Sequence, residues 1–310
     1  RLWPGYAGQA GGLIAGIAFL VFPSALQWYG QNHKDAFAIA GTLLVLEAWL
    51  HSLSVLEMPL RRQGLLIAQV AAGAVLLGLV RPYYVVLLLV GLSVAWIVDI
   101  TSERLLRHRF FQPGRGRQIL QLLVLAAATV CFSNLERATA IYAEGWTDTT
   151  RISWQWHASE NLPHQLDNLL SRASELRAHF VAFGRQVGAG SEIDGDRLPD
   201  NALSAIAYLP RALFVGLMTP FPDTWGERVT IPRLIGAMET AFWYPFALGG
   251  AVLVWRRPSR ELLAGVVFCC TLLTILAYIH PNVGTLYRQR YAPWQFFLLC
   301  GSVGWSSLVA

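Results

Sequence analysis

Long apolar runs fill most of this chain, and its polar residues collect in the gaps between them. Eight runs approach the ~20 residues that a helix needs to cross a bilayer at a rise of about 1.5 Å per residue. They cover 11–28, 36–56, 64–80, 82–99, 119–140, 234–255, 262–279 and 294–310. The pattern predicts an all-α fold: a polytopic transmembrane helix bundle of about eight spans, with a helical segment on its outer face. That segment holds an amphipathic stretch over 165–183. Leu166, Leu169, Leu170, Ala173, Leu176, Phe180 and Phe183 recur there at the period of one helix face. Asp167, Arg172, Glu175 and Arg177 make it too charged to span, so it is expected to pack on the membrane domain or on the lipid surface.

The gaps are of two kinds, and the kinds alternate. One is simple and basic: Leu60-Arg61-Arg62, 104–117 and Arg256-Arg257-Pro258-Ser259-Arg260. The other is mixed and aromatic: 29–35, 81–84, 144–232 and 282–291. An excess of arginine marks cytoplasmic loops, which assigns the basic gaps to the inside and the mixed gaps to the outer face. The parity holds only if 202–221 does not cross. That segment is apolar but carries Pro210-Arg211 at its middle, and a crossing would move Arg256, Arg257 and Arg260 outside. It is expected to be an interfacial or re-entrant helix. The organisation that follows is a first bundle part over 1–143, an outer-face helical segment over 144–232 and a second bundle part over 233–310.

Composition agrees. Apolar residues make up 55% and charged residues 14%, with a mean hydropathy of +0.43, whereas a soluble domain carries about 25% charged residues. The net charge of +5 rests on arginine, Lys34 being the single lysine. Five of the arginines fall in 104–117, so the basicity follows the positive-inside pattern and no nucleic-acid partner is expected. Cys131, Cys269, Cys270 and Cys300 all lie in predicted spans, where inert buried thiols are the ordinary outcome. The sequence opens on an arginine and closes in an apolar run. It reads as part of a longer protein whose earlier portion carries some of the chemistry.

On the outer face, Lys34-Asp35 opens a helix, where a carboxylate is favoured by the helix dipole. Two readings stand, an ordinary interfacial turn and a site. Arg81 precedes Pro82, Tyr83 and Tyr84, and is either a snorkelling anchor or a cation for phosphate, whose oxygens its fork matches. Glu192, Asp194, Asp196 and Asp200 form an acidic loop, either solvated or able to hold a divalent cation near Glu192, Asp194 and Asp196. Tyr208-Leu209-Pro210-Arg211 is a rigid aromatic surface suited to a groove. Arg288 and Arg290, bracketed by Tyr287 and Tyr291, are the strongest phosphate candidates, because an anchor would need only one arginine. Within the spans, Glu47 and His51 lie four apart on one face, as a proton relay or an internal pair, and Glu239 sits in another span. No transition-metal site is indicated, and no nucleotide loop, hydrolase elbow or zinc motif occurs.

With these residues in view, the chain resembles the bacterial GT-C superfamily of integral-membrane glycosyltransferases, related to protein O-mannosyltransferases and lipid A aminoarabinose transferases. The resemblance rests on Phe22-Pro23-Ser24 with Trp28 and Lys34-Asp35, on Arg81-Pro82-Tyr83, and on the run from Asn282 to Tyr291. It implies a polyprenyl-phosphate sugar donor, an active site on the outer face of the bacterial inner membrane, and inverting transfer to a polysaccharide, lipid or protein acceptor. The family's usual acid lies in the first outer loop and has no clear match here. Asp35 is the candidate base within this chain, with Arg288, Arg290, Arg81, Tyr287, Tyr83, Lys34 and Arg211 expected around the donor. Two alternatives remain open. One is a polysaccharide polymerase or ligase with a pyrophosphate-linked donor. The other is a non-enzymatic transporter or an accessory subunit of polysaccharide export.

Overall fold

The computed structural model describes residues 6–22, 34–54, 58–105, 115–140, 154–188, 191–225 and 231–309. Pro23, Ser24 and Trp28, the middle of the basic stretch at 106–114, and residues 144–153 lie outside the described residues, as do the side chains of Glu136 and Arg137. The described residues form α-helices with no strand. The helices are α1 (Tyr6–Val21), α2 (Lys34–Ser54), α3 (Leu60–Val80), α4 (Pro82–Leu105), α5 (Arg115–Ala140), α6 (His164–Gln186), α7 (Ala202–Met218), α8 (Ile231–Arg256), α9 (Arg260–Ile279), α10 (Val283–Gln289) and α11 (Tyr291–Val309).

Among the described residues, six stretches are long and apolar enough to cross a bilayer: Lys34–Ser54, Leu60–Val80, Pro82–Ser102, Arg115–Ser133, Leu234–Arg256 and Arg260–Ile279. They mark the chain as a multi-pass membrane protein. The expected spans over 11–28 and 294–310 correspond to α1 and α11, which are helical but not among these six. α1 has 16 residues, about 24 Å at 1.5 Å per residue. It stops at Val21, two positions before Pro23, and a proline disfavours helix in the residue ahead of it. α11 has 19 residues, but Gln295, Gly301, Ser302, Gly304, Ser306 and Ser307 dilute its apolar character. Its setting explains why that is tolerated. Trp294 and Leu298 are fully buried, and α11 packs on α8, α1 and α2. A helix walled by other helices has little lipid to face, and small residues let its neighbours come close.

The chain divides into two compact units. The first comprises 1–138, 228–272 and 291–310; the second comprises 139–227 and 273–290. In the first unit α2 lies against α3, and α8 against α11. Both contacts are made at glycines. A Cβ on Gly73 would sit 2.7 Å from the Gly41 carbonyl, and one on Gly304 would sit 2.0 Å from the Gly249 carbonyl. Either distance is below any tolerable contact, so these crossings exist because no side chain intervenes. Above the α8–α11 crossing, Trp243 and Trp294 stack with ring centroids 4.7 Å apart.

Polar contacts gather the basic gaps at one end of this unit. Arg260, opening α9, makes two hydrogen bonds of 2.6 Å to the Asp99 carboxylate near the end of α4. Arg117, in the first turn of α5, donates to the Ser52 carbonyl at 3.2 Å, and Gln121 donates to the Ala48 carbonyl at 3.3 Å. Ser52 is close to the end of α2, just ahead of Arg61-Arg62. The three basic segments therefore flank the same helix ends, and Lys34-Asp35 and Arg81 stand at the opposite ends of α2 and α3.

In the second unit, α6 packs on α7 with an inverted amphipathicity. Asp167, Ser174, Arg177, Ala178 and Val181 are its buried side. Leu166, Leu169, Leu176, Phe180 and Phe183 are each at least 40% exposed. The large apolar residues that the sequence pattern assigns to one face thus stand largely exposed, with Phe180 lying against the His280 ring at 4.8 Å between ring centres. α7 begins with a reciprocal cap: Asn201 Oδ1 accepts from the Ser204 amide at 2.9 Å, and the Ser204 hydroxyl accepts from the Asn201 amide at 3.2 Å. At 17 residues α7 is apolar but shorter than the six candidate spans.

Candidate functional site

The eight residues expected around a donor fall into two groups, four in each unit. In the first unit the group forms where α2 begins and α3 gives way to α4. Lys34 is the first residue of α2 and is exposed, and Asp35 beside it is only 2% exposed. Arg81 closes α3, with its amide donating to the Leu77 carbonyl at 2.7 Å. Pro82 starts α4, where its missing N–H costs nothing. This turn swings the Arg81 guanidinium back over the start of α2. Its Nη2 donates to Asp35 Oδ1, and its Nη1 donates to the Tyr83 hydroxyl at 2.6 Å. The side chains of Arg81 and Asp35 are 10% and 3% exposed. Arg81 Nε is buried with no hydrogen-bond partner among the described residues. Tyr83 is 36% exposed and lies 5.2 Å, ring to ring, from buried Tyr84. A carboxylate, a guanidinium and a phenol therefore share one small cluster.

The second unit holds the other four. Two segments that the sequence assigns separately to the outer face are joined here by backbone. The Ile193 amide donates to the Pro281 carbonyl at 2.7 Å, and the Val283 amide to the Ser191 carbonyl at 2.9 Å. Asn282 caps α10, its Oδ1 accepting from the Thr285 amide at 3.1 Å. Arg288 is half-buried and donates from Nε to the Gly284 carbonyl at 3.3 Å. Arg290 is fully buried: its Nη1 donates to the Thr219 carbonyl, and its guanidinium lies 4.2 Å from the centre of the Tyr287 ring. Arg211 grips Asp194 with two hydrogen bonds, Nε to Oδ2 at 2.9 Å and Nη2 to Oδ1 at 3.1 Å. Of this group Arg288 and Arg211 retain access to solvent, whereas Arg290 and Tyr287 are enclosed by protein.

The acidic loop is built differently from a cation cage. Asp194 is engaged by Arg211 and by the Tyr208 hydroxyl at 3.2 Å, and Glu192 by Arg185 at 3.1 Å. Among the described residues no three His, Cys, Asp or Glu side chains converge as a metal-holding group. Arginines drawn from the helices on either side of the loop meet the carboxylates of Asp194 and Glu192.

These contacts set the electrostatics. Burial pushes the Asp194 carboxyl up, but the hydrogen bonds and charge of Arg211, with Tyr208, outweigh it and hold the group below the usual carboxylate range. Burial raises Tyr208 to about 12, against the opposing charge of Arg177. A depressed carboxylate contributes stability above its unfolded pKa of about 3.9 and loses it as pH falls through the folded value. The second unit should thus weaken below about pH 4 through this group. Asp194→Asn should destabilise it by about 1–3 kcal/mol at pH 7 and flatten that acid limb. Unfolding followed by hydrogen exchange between pH 3 and 7 tests this, and an unchanged acid limb in the variant counts against the assignment.

A second fully buried charge, Arg177, is not among the site residues that the sequence suggests. Arg177 is 0% exposed. It donates to the carbonyls of Asp194 at 2.6 Å, Arg197 at 3.0 Å and Tyr278 at 3.0 Å, with longer bonds to Ile193 and Ala277 at 3.4 Å. Its guanidinium also lies 4.7 Å from the centre of the Tyr208 ring. Burial lowers its pKa, with the surrounding acidic groups pulling the other way. Arg177 thus ties α6, the acidic loop and the end of α9 together.

No family model, curated protein or solved structure matches the chain.

Proposed function

We propose that this protein is a membrane glycosyltransferase that takes a sugar from a polyprenyl-phosphate donor at the outer face of the bacterial inner membrane. The observation that carries the reading is the Asp35–Arg81–Tyr83 cluster. Transfer from a lipid phosphate requires two things. The acceptor hydroxyl must lose its proton as its oxygen attacks the anomeric carbon, and the departing phosphate oxygen must receive the electrons of the broken C–O bond. A carboxylate suits the first task. A preorganised guanidinium suits the second, because it offers charge and paired donors without reorganising. Asp35 and Arg81 supply both at one point, at the helix ends opposite the basic gaps. The positive-inside pattern assigns that end to the outer face. Within the second unit, Arg288 and Arg211 are the expected arginines that retain access to solvent.

The test is transfer by the protein reconstituted in liposomes, supplied with a radiolabelled polyprenyl-phosphate sugar and a hydroxyl acceptor on the outer side. The expected result is release of polyprenyl phosphate together with a glycosylated acceptor, with turnover reduced 100-fold or more in Arg81→Gln, on the order of the loss when one oxyanion donor is removed. A well-inserted protein that consumes only a pyrophosphate-linked donor would favour a polymerase or ligase. Labelled sugar moving across the bilayer without transfer would favour a transporter.

A further inference from the structure

A cavity of about 800 Å³ opens within the first unit between α1, α2 and α11. Its volume falls in the ordinary range for small-molecule sites. The walls are mainly apolar, with Gly12 and Gly16 on one side, Phe296 on another, and three polar groups: Glu47, His51 and Gln295. Nothing in the proposed transfer reaction uses it. Glu47 lies in the Lys34–Ser54 span, about 10 Å along the helix from Ser54 at 1.5 Å per residue. A carboxylate at that depth is costly unless a partner answers its charge.

Among the described residues the hydrogen-bond partner of Glu47 is neutral. Gln69 Nε2 donates to Glu47 Oε2 at 3.1 Å and to the Leu44 carbonyl at 3.0 Å. Both amide hydrogens are thereby committed, and Glu47 is held in place with its second oxygen still available. No arginine or lysine is among the described residues that line the cavity. Gln295 Nε2 is buried there and has no hydrogen-bond partner among the described residues. The site thus offers an oriented carboxylate beside an apolar trough. Beside the trough, a Cβ on Gly12 or Gly16 would meet nothing within 4 Å.

We infer that this cavity binds an amphiphile with an ammonium head, the head on Glu47 and the alkyl chain along Gly12 and Gly16. The charge identifies the head. An ammonium group can neutralise Glu47 and donate to its second oxygen, and charge-assisted hydrogen bonds of this kind are the strong ones. A neutral alcohol can donate but leaves the charge unanswered, and a carboxylate is repelled. The inference is independent of the transfer reaction proposed above.

The experiment uses the whole chain in nanodiscs of zwitterionic lipid, with binding of tritiated dodecylamine and tritiated dodecanol measured above empty discs. Saturable binding of the amine is expected, at least about tenfold tighter than that of the alcohol, as a charge-assisted contact implies. Glu47→Gln should weaken the amine by about the same factor and leave the alcohol unchanged. Gly16→Leu places a side chain in the trough, where space allows it, and should weaken both probes while Glu47 is intact. That second variant keeps the test decisive if Glu47→Gln inserts poorly. Amine binding no greater than in empty discs, equal affinity for amine and alcohol, or undiminished amine binding in Gly16→Leu would each overturn the proposal.

Discussion

Arg177→Met should cost the second unit about 3–5 kcal/mol, the scale of breaking a buried charge network. That is a large share of the roughly 5–15 kcal/mol that separates a folded domain from its unfolded state. Methionine keeps much of the stem but removes every donor. The carbonyls of Arg197 and Tyr278 then lose this donor, while that of Asp194 keeps the Arg197 amide at 3.0 Å, and an unmet buried polar group costs about 1–3 kcal/mol. Arg177→Lys should be intermediate, since one ammonium cannot reach acceptors spread around a planar fork. Limited proteolysis at 191–200 and hydrogen exchange in α6 and α7 read the effect directly. Wild-type protection in Arg177→Met would show that the carbonyls find other donors and that the arginine is not what joins these segments.

That residue also marks the limit of what the sequence discloses. The spans in α2, α3, α4, α5, α8 and α9 are legible because hydropathy acts locally. A run of some 20 apolar residues declares itself whatever it later packs against. α11 is harder, because its Gln, Gly and Ser positions are explained only by the helices around it. α6 is harder still. A periodic apolar stripe normally marks the face turned to the core, yet here Leu169 and Phe183 are exposed, while Asp167 and Arg177 are buried with polar partners. The sequence cannot say which side of an amphipathic helix a membrane-bound unit turns inward, since lipid competes with protein for the apolar side.

The partners of the acidic loop are hidden from the sequence for a related reason. Spacing within the loop alone shows Asp194 and Glu192 only as neighbouring oxygen donors. Their partners, Arg211 and Arg185, stand on the flanking helices α7 and α6. In the sequence Asp35 and Arg81 stand far apart, one at a helix start and one at a helix end. Their meeting follows from topology, because α2 and α3 are consecutive, pack together and are joined by a short connection. The first residues of α2 then lie beside the last of α3.

Exchanging the two residues, Asp35→Arg with Arg81→Asp, separates a helix clamp from a working site. Each single change leaves one charge buried without its partner, at a cost of about 3–5 kcal/mol. The double variant restores an ion pair of the same composition across the same helix ends. Its stability should return to within about 1 kcal/mol of the wild type, the remainder reflecting an arginine at a helix start, where a cation is disfavoured. Transfer should not return. The exchange moves the carboxylate to the junction beside Tyr83 and the guanidinium to the start of α2, so neither stands where the acceptor hydroxyl or the leaving phosphate meets it. Turnover is expected to stay at least about 100-fold down, the scale of losing one preorganised donor. Thermal unfolding in detergent and transfer in liposomes measure the two properties on the same preparation. Recovery of both would reduce the cluster to a clamp between α2 and α3. Recovery of stability alone is the outcome that a catalytic pair predicts.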